Sequence, residues 1–138
     1  MAATISDLTI ITLPAFRDGR GTLSVVEASR LVPFAVGRVF WIKDVPAGTA
    51  RGGHAHKACH QYMICLQGRI RMVAFDGMQE RALTLEAGDA VHVPPGLFTT
   101  EYFDMLDSVL LVLCDAPYDA ADYLTTRQAL IDYREISA

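Results

Sequence analysis

The sequence predicts an all-β domain, a sandwich or small barrel, that ends in a single helix. Apolar runs of strand length recur along most of the 138 residues. Turn residues separate these runs about every eight to twelve positions, as in β-sandwiches and barrels. Only the C-terminal segment shows the apolar spacing of three and four that is typical of a helix. The length suits one domain over residues 1–138, with room for a substantial core.

About eight to ten short strands are predicted, because β-branched and aromatic residues cluster between groups of Gly, Pro and Asp. Arg17 to Gly21 forms a turn, and Asp76-Gly77 is a strong hairpin signal. Residues 108–114 are almost continuously apolar, which predicts a strand buried on both faces. The other strand-like segments are residues 5–13, 22–27, 38–42, 69–75, 81–85, 90–93 and 98–103, with two more strands flanking a histidine-rich stretch.

The C-terminal helix is predicted from one apolar stripe. Asp119 is a suitable N-cap. The residues that follow it recur at intervals of three and four, which places them on one face of a helix. We expect this face to pack on the barrel or on a second subunit. The stripe consists of Tyr123, Leu124, Arg127, Leu130, Ile131 and Arg134.

Composition excludes several classes of function. The formal net charge is -4, and the basic residues are scattered, so no basic stripe predicts binding to nucleic acid. No apolar run approaches the length of a membrane span, and the N-terminus lacks the pattern of a secretory signal. The three cysteines, an odd number, argue against a disulfide framework. A reducing cytoplasm is therefore the expected location.

Three of the four histidines lie in the stretch from Gly48 to Gly68. His54 and His56 are two positions apart, so both point to the same face of a strand. Two imidazoles on one face are either metal ligands or a proton-handling pair. His60 has the same parity and can supply a third imidazole if no turn intervenes. His92, which has no partner in the sequence pattern, is expected to be structural.

Two spaced patterns narrow the fold. The first is Gly-x5-His-x-His-x4-Gln-x6-Gly, and the second is Gly-x5-Pro-x-Gly-x2-Thr, about twenty residues further on. Together they resemble the paired motifs of the cupin superfamily, which implies a jelly-roll barrel, or double-stranded β-helix. The residues that carry the resemblance are Gly48, His54, His56, Gln61, Gly68, Gly88, Pro94, Gly96 and Thr99.

Only two of the four metal-ligand positions of the cupin pattern carry the usual histidine. Metal-binding cupins would have His, His, Glu and His, whereas Gln61 and Thr99 occupy the third and fourth positions here. A neutral amide and a hydroxyl are poor ligands for a divalent ion. We therefore predict no metal and no other cofactor.

A longer series of residues resembles the sugar-nucleotide 3,4-ketoisomerases over nearly the full chain. This resemblance implies a metal-independent cupin homodimer. Its reaction would convert a dTDP-4-keto-6-deoxyhexose to the 3-keto isomer, in the biosynthesis of deoxy and amino sugars for glycans. The matching residues, in order, are Asp18-x-Arg20-Gly21-Thr22-Leu23, Pro33-Phe34, Arg38-Val39, Arg51-Gly52, His54-Ala55-His56-Lys57, Gln61, Gly68, Asp76-Gly77, and Tyr118-Asp119 to Asp122-Tyr123.

The chain also departs from the usual pattern of that family. Phe40-Trp41 stands where members usually carry two tyrosines, and Phe98-Thr99 stands where they carry Trp-His. Gly53 replaces an aromatic residue. The lost tyrosine hydroxyl and the lost histidine could both affect proton transfer or substrate binding.

The reaction itself suggests roles for the histidines. One base must remove the proton from carbon 3 and deliver a proton to carbon 4, and a histidine can accept and then donate near neutral pH. We predict His56 as this base and His54 as its partner, in agreement with the family pattern, although the two roles could be exchanged.

Cationic and amide side chains nearby are predicted to bind the substrate. Arg51 and Lys57 flank the histidines and are the cations available to stabilise an oxyanion. Arg38 and Arg51 match family positions and suit a diphosphate, which arginine binds with two donors. Gln61 is predicted either to contact the substrate or to close a backbone hydrogen bond.

Three other functions compete with a ketoisomerase. One is a related isomerase or epimerase that acts on another keto sugar nucleotide. Another is a cupin that binds a nucleotide sugar without turnover. The last is a metal-dependent oxygenase that uses His54, His56 and His60 as ligands.

Overall fold

The computed structural model describes residues 2–137, which form two facing antiparallel sheets of five strands and a separate hairpin. The all-β jelly-roll prediction is confirmed. The first sheet has the order β1 (Ile10–Thr12), β9 (Asp89–Val93), β6 (Gln61–Gln67), β11 (Val109–Cys114) and β4 (Arg38–Ile42). The second has the order β12 (Tyr123–Leu124), β5 (Thr49–His56), β10 (Phe98–Phe103), β7 (Arg69–Phe75) and β8 (Glu80–Glu86), and the hairpin joins β2 (Ala15–Asp18) to β3 (Gly21–Ser24).

The main core fills the space between the two sheets. Side chains alternate along each strand, so every second residue reaches this space. On β7, Ile70 and Met72 are fully buried while Arg69 and Arg71 form ion pairs on the outer face. Residues from both sheets pack together here, including Met63, Cys65, Val91, Phe103 and Leu110.

A second apolar cluster lies on the outer face of the first sheet. Tyr62 and Ile64 on β6 are buried there under residues of the N-terminal segment, among them Leu13 and Val32. β6 is therefore buried on both faces over most of its length. The short helix α1 (Ala28–Leu31), which the sequence pattern does not predict, precedes Val32 in this covering segment.

The predicted start of the C-terminal helix is wrong. Asp119 caps a short 3-10 turn by accepting a hydrogen bond from the backbone N–H of Ala121. Tyr123 and Leu124 then pair as β12 with the end of β5. The helix α2 begins only at Arg127 and runs to Ser137, with Leu130 fully buried. The open edge of β5 offers backbone partners that the local helical spacing of the sequence cannot reveal.

The predicted strand over residues 5–13 is shorter in the structure. Ile5–Asp7 forms a 3-10 turn because the Asp7 carboxylate accepts a hydrogen bond from the backbone N–H of Thr4. Only Ile10–Thr12 remains a strand, paired with β9. Neither helix among the described residues has the length and apolar character needed to cross a membrane.

Gly68 closes the turn between β6 and β7 and provides a test of packing. Its φ is +75°, and an added Cβ would lie 2.4 Å from Ser108 Oγ and 2.8 Å from Ser108 Cα. Gly88 has a φ of +94° but open space around it. Gly88→Ala should lower the free energy of unfolding by about 1–2 kcal/mol through the left-handed backbone alone. Gly68→Ala should cost about 1–3 kcal/mol more through overpacking.

Urea unfolding of both variants beside the wild type measures this difference. Equal losses in the two variants would show that Ser108 moves away without cost.

Candidate functional site

A small cavity of about 160 Å³ opens into the barrel between the two sheets. Both sheets contribute polar side chains to it, and the strands of the first sheet also supply an apolar wall. The cavity is thus a mostly apolar pocket with a few convergent polar groups, the usual character of a small-molecule site. The lining residues are Phe40, Ile42, Arg51, Gly52, His54, Gln61, Met63, Glu101, Leu110, Val112 and Tyr123.

Three rings form a compact cluster beside this cavity: His54 and Tyr123 line it, and His56 packs against both without lining it. His54 and His56 lie on the same face of β5, as their spacing predicts, with ring centroids 5.2 Å apart and nearly perpendicular planes. Tyr123 on β12 contacts both, at 4.8 Å from His54 and 4.5 Å from His56. The pairing of Tyr123 with His56 in the sheet register produces this contact.

Asp122 orients His56. Its Oδ2 lies 2.8 Å from His56 Nδ1, and its carboxylate also accepts hydrogen bonds from the backbone N–H groups of Ala58 and Cys59. Burial opposes ionisation of Asp122, but these hydrogen bonds outweigh it and lower the pKa of the carboxyl group. A carboxylate accepts only, so Nδ1 of the neutral imidazole carries the proton and Nε2 keeps its lone pair. His56 Nε2 is buried and has no partner among the described residues.

Burial keeps both imidazoles neutral. It lowers the pKa of His54 to about 4, and the neighbouring His56 adds to the effect. Burial also lowers the pKa of His56, although Asp122 partly opposes this shift. His56 is thus the better base of the two, because a carboxylate stabilises the imidazolium that forms when it accepts a proton.

Glu101 is a buried carboxyl group at the same cavity. Its side chain is 5% exposed, and Oε2 has no hydrogen-bond partner. Oε1 accepts a hydrogen bond of 3.4 Å from the Thr99 hydroxyl. Burial raises the pKa of Glu101 to about 8. No ion pair involves this side chain in residues 2–137, so Glu101 is an uncharged acid at neutral pH.

Gly52 makes room for this acid. A Cβ at Gly52 would lie 2.5 Å from Glu101 Oε2 and 3.1 Å from the Thr99 carbonyl oxygen. The φ of Gly52 is +79°, which also favours glycine. The register of β5 and β10 shifts between Thr99 and Thr100, at the level of these residues. The bulge and the missing side chain together allow the Glu101 carboxyl group to lie against the β5 backbone.

The two predicted arginines lie in different surroundings. Arg51 lines the cavity and remains exposed, at the edge where β5 faces Glu101 on β10. Arg38 on β4 is half-buried, with its guanidinium 5.5 Å from the Phe40 ring and 5.9 Å from the Tyr118 ring. Its Nε is buried without a hydrogen-bond partner in the described part of the chain.

Gln61 lies within the cavity, whereas Lys57 does not line it. The Gln61 side chain is buried and donates a weak hydrogen bond to Cys114 Sγ at 3.9 Å. Lys57 directs its ammonium toward the Tyr133 ring, 5.8 Å from the centroid. It lines a separate cavity of about 840 Å³ beside α2.

The structure does not place His60 with His54 and His56. The chain turns between β5 and β6, so the strand parity that relates the three histidines is lost. His60 Nδ1 lies 2.9 Å from His92 Nε2, and the two rings stack with centroids 5.2 Å apart. The expectation that His92 has no partner is therefore wrong, and the oxygenase alternative loses its third imidazole.

One cluster of potential metal ligands occurs within residues 2–137. His56 Nδ1, Cys59 Sγ and an Asp122 oxygen lie within 4.8 Å of one another. Asp122 already accepts three hydrogen bonds there. Burial raises the pKa of the Cys59 thiol to about 12, whereas a metal needs the thiolate. The arrangement suits a hydrogen-bond network better than a metal centre.

The sequence analysis missed three residues of this site. Asp122 and Tyr123 belong to the family pattern, but their apolar neighbours led to a helix assignment instead of a strand. Glu101 shares the strand parity of Thr99 and of the core residue Phe103, so the alternation along β10 could have identified it as inward-facing.

Comparisons with known proteins agree with this geometry. The family model FdtA, described as WxcM-like, C-terminal, matches residues 6–135. A TDP-4-oxo-6-deoxy-alpha-D-glucose-3,4-oxoisomerase from Aneurinibacillus thermoaerophilus is 32% identical over 116 residues, covering 83% of this chain and 84% of that protein.

Solved structures with the same fold include two ketoisomerases. QdtA, a sugar 3,4-ketoisomerase from Thermoanaerobacterium thermosaccharolyticum in complex with TDP, is 27% identical, with a TM-score of 0.88 over 97% of this chain and 98% of that chain. The WlaRB TDP-quinovose 3,4-ketoisomerase from Campylobacter jejuni is 29% identical, with a TM-score of 0.84 over 93% and 99% of the two chains.

The raised pKa of Glu101 predicts how stability depends on pH. The folded protein holds this proton up to about pH 8, whereas the unfolded chain releases it near the ordinary value of 4.5. Between these values the folded state binds more protons, so the free energy of unfolding falls as pH rises, by about 1.4 kcal/mol per pH unit from this group. Below about pH 4.5 and above about pH 8, Glu101 does not change the free energy of unfolding as the pH changes. Glu101→Gln should abolish this contribution.

Urea unfolding of Glu101→Gln and wild type at pH 5, 6.5, 8 and 9 tests the prediction. The stability of the variant relative to the wild type should rise between pH 5 and 8 and then level off. Glu135→Gln, at an exposed position of α2, is the matched control and should show no such trend. A constant difference between Glu101→Gln and wild type would contradict a buried neutral acid.

Proposed function

This chain belongs to the FdtA family, and we propose that it is an isomerase that moves the keto group of a dTDP-linked 4-keto-6-deoxyhexose from carbon 4 to carbon 3. The Aneurinibacillus relative is a TDP-4-oxo-6-deoxyglucose 3,4-oxoisomerase, and QdtA was solved with TDP bound. The observation that carries the proposal is His56, which Asp122 orients against His54 and Tyr123, two residues that line a cavity in the barrel. The product would supply the biosynthesis of deoxy and amino sugars.

His56 is the proposed base. Its Nε2 lone pair accepts the proton from carbon 3 while the electrons of that C–H bond form a carbon–carbon double bond to carbon 4. The resulting enediol collapses to the 3-keto sugar when the imidazolium returns a proton to carbon 4. Asp122 keeps Nδ1 protonated and stabilises the imidazolium between the two steps. His54, which is neutral, contacts the sugar without competing as a base.

The size of the cavity supports a division of the substrate into two parts. Its volume of about 160 Å³ is below the ~300 Å³ of pockets that enclose a whole ligand, so it suits the sugar ring while the nucleotide lies outside. Arg51, exposed at the cavity edge, is the proposed donor to the diphosphate or to the developing oxyanion, and Arg38 is a second diphosphate donor. Gln61 is proposed to contact the sugar, and Lys57 to contact the nucleotide part of the substrate.

The proposed reaction needs no metal and takes place in the cytoplasm. Proton transfer between neighbouring carbons requires a base and a hydrogen-bond donor, both of which the site contains. Gln61 and Thr99 stand at the positions where metal-binding cupins carry ligands. The cysteines at 59, 65 and 114 are buried free thiols, which suits a reducing compartment.

We also propose that two copies of the chain associate through the outer face of the first sheet. Trp41 on β4 is 62% exposed, and Val39, two residues before it on the same face, is also exposed. β4 pairs only with β11 among the described strands, so its other edge is open. A second copy of the chain would cover this apolar face and the open edge together.

Variants of the two histidines separate their roles. His56→Asn should reduce isomerisation by about 10²–10⁴-fold, because asparagine keeps a polar group but cannot cycle a proton near neutral pH. Its affinity for dTDP should stay near that of the wild type. His54→Asn should have the smaller effect on turnover. The measurements are NMR of the sugar product, with and without a chelator, and calorimetric titration with dTDP.

Asp122→Asn adds a test of orientation, with Asp119→Asn as its control. The Asp122 variant should lose turnover while retaining dTDP affinity, whereas the Asp119 variant, which keeps its cap, should match the wild type.

Full activity in His56→Asn would refute the assigned base. If the wild type binds dTDP but does not exchange the carbon 3 hydrogen in deuterated water, the protein holds a nucleotide sugar without turnover.

The dimer is tested with a charge on the proposed interface. Trp41→Lys should weaken self-association by about thirtyfold or more, the effect of a hot-spot residue. Met78→Lys is the control, because Met78 is 91% exposed on the turn between β7 and β8, outside the proposed interface. Sedimentation at micromolar concentration should show a dimer for wild type and Met78→Lys. A monomeric wild type would rule out this assembly.

A further inference from the structure

Glu101 takes no part in the mechanism described so far. It is nevertheless the one buried carboxyl group that lines the sugar cavity in the described structure. Oε2 is buried and forms no hydrogen bond, although an unsatisfied buried polar atom is costly for a folded protein. Such an atom in a cavity that His54 and Tyr123 also line suggests that it has a partner when the substrate is bound.

The proposed isomerisation moves two protons, and His56 accounts for only one. Carbon 3 loses its hydrogen and carbon 4 gains one, and this is the transfer assigned to His56. In addition, the hydroxyl on carbon 3 becomes a carbonyl while the carbonyl on carbon 4 becomes a hydroxyl. A proton must therefore leave oxygen 3, and one must reach oxygen 4. The site needs a second group that can donate a proton and accept one back.

We propose that Glu101 is a further catalytic residue, a neutral carboxylic acid that carries the hydroxyl proton of the substrate from oxygen 3 to oxygen 4. This inference rests on the proposed function, since it assigns a second proton transfer within the same reaction. Vicinal oxygens lie side by side, and a carboxyl group has two oxygens in a similar arrangement, so one group can serve both.

The protons and electrons balance with these two groups alone. As His56 Nε2 takes the carbon 3 proton, the C–H electrons form the carbon–carbon double bond and the carbonyl π electrons move to oxygen 4. Oxygen 4 then takes the proton of Glu101, which leaves an enediol and a carboxylate. In the second half, oxygen 3 returns its proton to the carboxylate and forms the new carbonyl. Carbon 4 takes the proton from the imidazolium, so both residues end as they began.

The other groups at the cavity are less suited to this transfer. Arg51 remains charged and can donate a hydrogen bond but cannot accept a proton back. Burial lowers the pKa of His54 to about 4, so His54 is a neutral imidazole at neutral pH. The N–H of a neutral imidazole is a far weaker acid than a carboxylic acid, so His54 is the poorer proton donor to oxygen 4. Glu101 holds a proton at the start of the reaction and has a free oxygen.

The surroundings of Glu101 determine which of its oxygens carries the proton and whether the proton is held at neutral pH. The Thr99 hydroxyl donates to Oε1, which leaves the acidic proton on the unpartnered Oε2. The missing side chain of Gly52 leaves space for Oε2. The burial that raises the pKa of Glu101 to about 8 also supplies the proton at neutral pH.

Glu101→Gln is the test, since glutamine preserves size and hydrogen bonding but cannot transfer a proton. With dTDP-4-keto-6-deoxyglucose followed by NMR, kcat should fall by about 10²–10⁴-fold, the usual range for loss of a general acid. The KM and the affinity for dTDP should change little. Glu135→Gln on α2 is the matched control and should retain the activity of the wild type.

The pH profile gives a readout that a purely structural role would not change. The kcat/KM of the wild type should fall above about pH 8, where Glu101 loses its proton, and the residual activity of Glu101→Gln should lack this fall. The other titratable groups at the cavity are Arg51 and His54 on β5 and Tyr123 on β12, and the proposed base His56 packs against His54 and Tyr123. All four remain in the variant, so an alkaline limb that disappears with this one substitution belongs to Glu101.

Thr99→Val provides a second variant in case Glu101→Gln does not fold. The Thr99 hydroxyl favours the carboxylate, so its removal should move the alkaline limb of the wild type to higher pH. If Glu101→Gln turns over within about threefold of the wild type, or if Thr99→Val leaves the limb unmoved, the inference is overturned while the proposed function stands. A wild type that binds dTDP but forms no 3-keto product would instead refute the proposed function, and the inference with it.

Discussion

The hydrogen bond between Asp122 and His56 is the interaction on which the site depends. It joins residues 66 positions apart in the chain. A strand of only two residues, β12, makes it possible by pairing with the end of β5. The same carboxylate accepts the N–H groups of Ala58 and Cys59, so it also holds the turn that follows β5. One side chain therefore fixes the tautomer of His56 and the path of the chain beside it.

The charge state of each buried group in the barrel depends on how many hydrogen-bond partners the group has. A buried charge is stable only when other groups neutralise or hydrogen-bond it. Asp122 meets this condition through three donors and stays ionised. Glu101 has one weak donor and becomes an uncharged acid, while His54 becomes an uncharged base. The barrel thus places a proton donor and proton acceptors near a stable negative charge, as acid–base chemistry near neutral pH requires.

The first sheet contributes side chains both to the cavity and to the outer surface. Phe40 and Trp41 are adjacent on β4, and strand alternation sends them to opposite faces. Phe40 forms part of the apolar wall of the cavity, so a change on this strand acts directly on the shape of the cavity. Trp41 lies exposed on the outer surface. An interface formed on that surface would consequently stabilise the strand that shapes the cavity.

The sequence by itself determined the features that depend on local periodicity and on motif spacing. Alternation and turn residues were sufficient for the all-β fold and most strands, and the spacing of His54 and His56 was sufficient to place them on one face. The tertiary structure alone decided the partners of these groups. Asp122 and Tyr123 lie in a segment with helical spacing, yet the open edge of β5 makes it a strand. Glu101 stays protonated at neutral pH only because the packed barrel removes water from it. His60 contacts His92 because the turn between β5 and β6 separates it from His54 and His56. Periodicity is a property of neighbours along the chain, whereas pKa values and hydrogen-bond partners arise from groups that the fold brings together.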